Sequence, residues 1–214
     1  MQLITTTEDL ARAVAAASQG PFVTVDTEFM RESTYYSKLC LLQFAGETSG
    51  HLVDTLAPGL DLAPFIALLD RADIVKVFHA ARQDIEIFYH LTGRTPRNLF
   101  DTQVAGMVCG LGESISYENL IRETTGHAVD KSSRFTDWSR RPLSDKQLVY
   151  ALGDVTHLRD AYRALSQKIA AQSRAGWIAE RLTSSDHGLF TNMLVGVAGS
   201  VVGAKVAELM DIPV

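Results

Sequence analysis

The stretch FVTVDTEF, Phe22 to Phe29, decides the fold. Large apolar residues alternate there with Thr24, Asp26 and Glu28, and the two-residue period of a strand places both acids on one face. Upstream, Thr6 or Thr7 followed by Glu8, Asp9 and an alanine-rich run predicts a capped first helix that ends at Gly20-Pro21. Downstream, Leu39 to Ala45 and His51 to Asp54 are short apolar runs around a glycine-bearing turn, the pattern of an antiparallel meander.

After Pro58 the pattern changes. Helices are expected near Ala63 to Leu69, Arg82 to Leu91, Asp101 to Cys109, Ser116 to Thr124 and Ser144 to Ser166, with strands at Ile74 to Phe78 and Asn98 to Phe100. A meander followed by strands joined through helices is an α/β protein, a mixed sheet with helices on its faces. At 214 residues, 46% hydrophobic and 21% charged, the chain can bury one full core and carry a small appendage.

Composition narrows the function. MQLITTTEDLARAVAAA has no basic region leading into an apolar core, so a secretory signal is not expected and the body of the protein is read as cytoplasmic. Cys40 and Cys109 sit in apolar settings that suit reduced, buried thiols better than a disulfide or zinc site. A net charge of -5 argues against wrapping nucleic acid by electrostatics alone. Between Lys131 and Lys146, however, five basic residues face two acidic ones, with Phe135 and Trp138 between them. That interleaving suits a phosphate backbone with stackable bases; a solvated loop anchored by Trp138 fits it equally well.

Chemistry resides in the acids. Acids on a buried strand are costly unless something compensates their charge, and Asp26 and Glu28 alone would read as partners of nearby helices. Asp84 follows His79 at the strand-to-helix turn after VKVF, the crevice where open α/β sheets place ligands; an acid near a helix N-terminus also meets the dipole favourably. Tyr150 and Asp154 lie four apart in a helical segment and face the same way. Four clustered carboxylates raise one another's pKa unless cations neutralise them. Oxygen ligands without Cys or His clusters point to Mg²⁺ or Mn²⁺.

DTEF at Asp26 to Phe29, TYYSKLCLLQ, the His79 to Asp84 spacing, FDTQVA and VDKSSRFTDWSRRPLSDKQLVYALGDVTHL together resemble bacterial ribonuclease D, of the tyrosine branch of the DEDD superfamily of 3′-to-5′ exonucleases. The resemblance covers Met1 to Ala170. It implies a ribonuclease H-like fold with a mixed five-stranded sheet. It also implies that Asp26, Glu28, Asp84 and Asp154 bind two divalent metal ions, with Tyr150 orienting the attacking water. The other branch carries a histidine one position earlier, where this chain has Val149. Phe29 takes the role of a stacking surface for the terminal base, or of core packing. His79 is a phosphate contact or a strand cap, and Lys131 and Arg141 are backbone contacts. The implied activity is release of nucleoside 5′-monophosphates from the free 3′ end of RNA, in processing of tRNA or other structured RNA, with single-stranded DNA open as a substrate. A binding module without turnover and a membrane-associated adaptor are the competing classes.

Residues 171–214 are expected to form an apolar, glycine-containing helical tail in place of the HRDC-type domains of full-length ribonuclease D. Leu189 to Val206 carries one charge, Lys205, and small residues four apart at Gly199 and Gly203, a spacing that suits close helix packing in a bilayer. With GWIAERL and DHGLFTNMLVGVAGSVVGA, the tail resembles small transglycosylase-associated membrane proteins. A weak membrane tether through residues 189–206 and a soluble packing helix are both open readings. Oligomeric state is not legible.

Overall fold

In the computed structural model, which describes residues 3–31, 36–129 and 136–171, the chain runs β1 (Leu3–Ile4), α1 (Thr7–Ala17), β2 (Phe22–Met30), β3 (Lys38–Ala45), β4 (Gly50–Asp54), α2 (Ala63–Leu69), β5 (Val75–Phe78), α3 (Arg82–Thr92), β6 (Leu99–Asp101), α4 (Thr102–Val108), α5 (Tyr117–Thr125) and α6 (Asp145–Ala171). The strands form one sheet in the order β1-β4-β3-β2-β5-β6. The meander β2-β3-β4 is antiparallel, while β1 joins β4, and β5 and β6 continue from β2, in parallel. The fold is ribonuclease H-like, as expected, with one correction: the sheet has six strands rather than five. The added strand, Leu3–Ile4, is too short to show an alternation and exists through its pairing with Leu52 and Val53.

The alternation along β2 sorts its side chains between two cores. Val23 and Val25 pack with Leu10 of α1, Phe65 of α2 and Phe88 of α3. On the other face Phe22 packs with Leu120 of α5 and with Leu158, Tyr162 and Leu165 of α6. Further along α6, Ala151 packs with Cys40, Leu52 and Trp138. The 27-residue α6 therefore crosses most of one face. Thr24 fixes its height, the hydroxyl donating to the Val155 carbonyl at 2.8 Å.

Local chemistry sets the element ends. Thr6 caps α1 by accepting from the Asp9 amide at 3.2 Å, and Gly93, at φ 69°, terminates α3 in the left-handed conformation that glycine adopts without a Cβ penalty. The turn from β5 into α3 is held from outside. Asp101 accepts from the amides of Ala80 and Ala81 at 3.1 and 2.9 Å and from Gln103 at 2.7 Å. Ala80 sits there at φ 53°, a conformation that costs a residue with a Cβ about 1–2 kcal/mol. The Asp101 contacts offset that cost and set where α3 begins, two residues before Asp84.

Cys40 and Cys109 are free and buried. Among the described residues no helix is long and apolar enough to cross a membrane. The tail at 172–214, with its membrane-tether reading, lies outside the described residues.

Candidate active site

Thr24, Asp26 and Glu28 share the β2 face that looks toward α6, and α6 brings Tyr150 and Asp154 to the same place. One carboxylate oxygen from each of Asp26, Glu28 and Asp154 lies within 4.8 Å of the other two. They stand in a cleft of about 800 Å³ whose wall includes Phe29, His79, Tyr117 and Trp138. Directly across the strand pair from Asp26 stands Gln43, which donates from Nε2 to Asp26 Oδ2 at 3.3 Å.

Burial pushes the Asp26 carboxyl up to about 6, only partly opposed by the Thr27 amide. Asp84 is pushed well above the carboxylate range, first by burial and then by the Asp26 charge. Its stabilising contact is Thr27 Oγ1, which donates to Asp84 Oδ1 at 2.5 Å. Such an accumulation of desolvated acids favours the neutral forms until a cation compensates them. Three close oxygens of hard character, with no thiolate or imidazole among them, fit a hard divalent cation such as Mg²⁺ or Mn²⁺.

Tyr150 is half-buried, its ring centroid 6.1 Å from that of Trp138. Burial, then the charges of Asp154, Glu28 and Asp26, raise the phenol far above its usual range, so it is neutral at pH 7. It can orient a water by donating and accepting hydrogen bonds, and it is a poor base. Tyr117 is held protonated by burial and by the Asp154 and Asp26 charges.

A family model described as 3′-5′ exonuclease matches residues 1–170. The chain belongs to this 3′-5′ exonuclease family. A curated ribonuclease D of Gluconacetobacter diazotrophicus is 54% identical over 180 residues, which are 84% of this chain and 46% of the relative. A ribonuclease D of Jannaschia sp. is 55% identical over 183 residues, 84% of this chain and 47% of the relative. The chain thus spans about half the length of these curated relatives. Among solved structures it is similar to Escherichia coli RNase D, an exoribonuclease involved in structured RNA processing, with a TM-score of 0.80 at 32% identity, covering 91% of this chain and 50% of that one. The catalytic core of RRP6 from Trypanosoma brucei follows with a TM-score of 0.75 at 25% identity, covering 91% and 51%.

Within this exonuclease fold, the residues singled out from the sequence fall into different places. Asp26, Glu28, Asp154 and Tyr150 come together. Asp84 stands apart from the group of three, held by Thr27, yet near enough for its charge to couple to that of Asp26. Phe29 lines the cleft just after a bulge at Glu28/Phe29 that shifts the strand register and re-aims the residues beyond it. His79 also lines the cleft, but it is anchored: Nδ1 lies 3.0 Å from Thr102 Oγ1 and the ring meets Tyr117 edge-on at 5.5 Å. Burial lowers its pKa, against the raising influence of the Asp101 charge, and so favours the neutral imidazole.

Arg141 corrects an expectation. Its guanidinium donates to both Asp54 oxygens, at 2.9 and 2.6 Å, and to the carbonyls of Cys40, Trp138 and Arg140. With every N–H committed to protein acceptors, it is a structural clamp rather than a phosphate contact. Lys131 lies outside the described residues.

Trp138, read from the sequence as an aromatic among basic residues, lines the cleft, while three residues at the site were not found by reading the sequence: Thr27, Gln43 and Tyr117. Gln43 left one signal, an amide inside the apolar run KLCLLQFA, where it is fully buried. The others left none, because their partners lie far along the chain.

Proposed function

We propose that this chain is a metal-dependent 3′-5′ exoribonuclease domain that removes nucleoside 5′-monophosphates one at a time from a free 3′-hydroxyl end. The observation that carries the reading is the group of three carboxylate oxygens within 4.8 Å beside a neutral tyrosine. A pure binding surface for a polyanion gains nothing from it.

Asp26, Glu28, Asp84 and Asp154 hold two divalent cations, Mg²⁺ or Mn²⁺. When bound, such cations supply hydroxide at neutral pH and neutralise charge on the departing oxygen. Tyr150 orients the nucleophilic water. Phe29 presents an aromatic edge of the cleft to the terminal base, a contact that tolerates any base. Gln43 holds the Asp26 carboxylate in its orientation.

The substrate is RNA, with trimming of tRNA and other structured precursors as the setting; the identity to relatives named ribonuclease D supports this reading. The buried free thiols suit a reducing cytoplasm. The test is product analysis: uniformly labelled RNA incubated with Mg²⁺ or Mn²⁺, in parallel with a DNA copy and with EDTA. Nucleoside 5′-monophosphates from the RNA, abolished by EDTA, are expected. Nucleoside 3′-monophosphates, or internal fragments, would contradict the assignment, and preferential loss of the DNA copy would move the substrate class to DNA.

A further inference from the structure

Tyr117 opens α5, capped by Ser116, whose side chain accepts from the Asn119 amide. Its ring lines the cleft and packs edge-on against His79. Its hydroxyl is turned away from the carboxylates and into the backbone of α6. It donates to the Asp154 carbonyl at 2.5 Å, with the Gly153 carbonyl further off at 3.4 Å. Asp154 and Leu158 are the two ends of one i to i+4 rung of the helix, so a side-chain oxygen lies against the rung that begins at the metal-binding candidate itself. One residue on, Thr24 holds the Val155 carbonyl from the sheet side.

A helix bends or rotates where a side chain enters its hydrogen-bond ladder. The direction of the Asp154 Cα–Cβ bond depends on the peptide that carries this rung. The Tyr117 ring alone would satisfy the packing against His79. A hydrophobic side chain of the same outline would fill the space without spending a hydroxyl there.

We infer that Tyr117 is a positioning residue: through the Asp154 carbonyl its hydroxyl fixes the aim of the Asp154 carboxylate into the group it forms with Asp26 and Glu28. The inference rests on the reading of that group as a cation site. Partners that orient a metal ligand typically govern 10–100-fold of metal affinity. The two cleft tyrosines then have separate tasks. Tyr150 faces the carboxylates and meets the water, while Tyr117 holds the backbone behind one of them.

The test compares wild type, Tyr117→Phe and Tyr162→Phe. Tyr162 is a second buried phenol on α6 that packs on Phe22 and Phe100, away from the carboxylates. Mn²⁺ affinity is read without substrate, by titration calorimetry or by loss of the free-ion electron paramagnetic resonance signal, beside the metal-free melting temperature. Expected is roughly tenfold or greater weakening of Mn²⁺ binding in Tyr117→Phe, with Tyr162→Phe within twofold of wild type, and a loss in kcat at saturating RNA that higher Mn²⁺ partly restores. If folded Tyr117→Phe binds Mn²⁺ as wild type does, Tyr117 has only a packing role and the inference fails alone. If wild type binds no Mn²⁺, the cation-site reading fails, and the inference with it.

Discussion

Thr27 Oγ1 donates to Asp84 Oδ1 at 2.5 Å, joining the one site acid that does not share the α6 face of β2 to the strand that carries two of the others. Asp26 and Glu28 point toward α6, and Thr27, between them, points the opposite way toward α3. Asp84 therefore reaches the cleft from the opposite helix layer, over the end of the sheet. The hydroxyl bond lowers the Asp84 pKa against burial and the Asp26 charge. Thr27→Val keeps the shape and removes that donor. Asp84 should then ionise at higher pH, and the acidic limb of the pH–rate profile should move upward, with the melting temperature little changed. An unmoved limb would mean that Asp84 ionisation does not control the reaction.

Stability should show the cost of the acid cluster. The Asp26 carboxyl titrates near 3.8 when exposed and at about 6 in the folded chain. Between those values the folded chain holds a proton that the unfolded chain has lost, so stability present below the window falls as pH rises through it and stays low above. The shift corresponds to about 3 kcal/mol. Without metal, Asp26→Asn should therefore melt higher than wild type at pH 7.5 and lose most of that advantage at pH 4. Added Mg²⁺ or Mn²⁺ should raise the melting temperature of wild type and scarcely that of the variant. Differential scanning calorimetry at the two pH values checks both.

Arg141 should behave as a clamp. Its side chain and that of Asp54 are only 25% and 11% exposed, and removing one partner of such a pair leaves the other buried and uncompensated. Arg141→Ala should cost about 3–5 kcal/mol in urea unfolding. Because no phosphate contact is lost, the slope of log affinity for RNA against log salt should stay as in wild type. A slope reduced by about one contact would restore Arg141 to the substrate surface.

Tyr150→Phe removes the hydroxyl that faces the carboxylates and leaves the ring against Trp138. Loss of water alignment should lower kcat roughly 100-fold, while KM for RNA and Mn²⁺ affinity hold near wild type. Steady-state kinetics with a metal titration separates this from the Tyr117 effect, in which metal affinity itself moves.

Much of this architecture can be read from local pattern, and the remainder follows from contacts between distant residues. The alternation in FVTVDTEF puts Asp26 and Glu28 on one face, and the four-residue spacing of Tyr150 and Asp154 does the same on α6. Both are short-range periodicities that any single strand or helix displays. Leu3–Ile4 has no such period and becomes a strand only because β4 is beside it. Spacing identified Asp84 as a site acid but did not reveal that it enters from the other helix layer. Arg141 read as one of several basic loop residues because its partner Asp54 is 87 positions away. Tyr117 was invisible for the same reason, acting on a backbone carbonyl 37 positions away, a partner that carries no side-chain signature at all.

The most direct test of the central claim is degradation of a 5′-labelled single-stranded RNA with Mg²⁺ or Mn²⁺, beside a copy blocked by a 3′-phosphate and an Asp154→Asn variant. A ladder shortening by one nucleotide at a time from the free 3′ end, absent from the variant and from the blocked RNA, is the predicted result. Intact RNA with either metal and folded wild-type protein, or cleavage that persists in Asp154→Asn, would contradict the account.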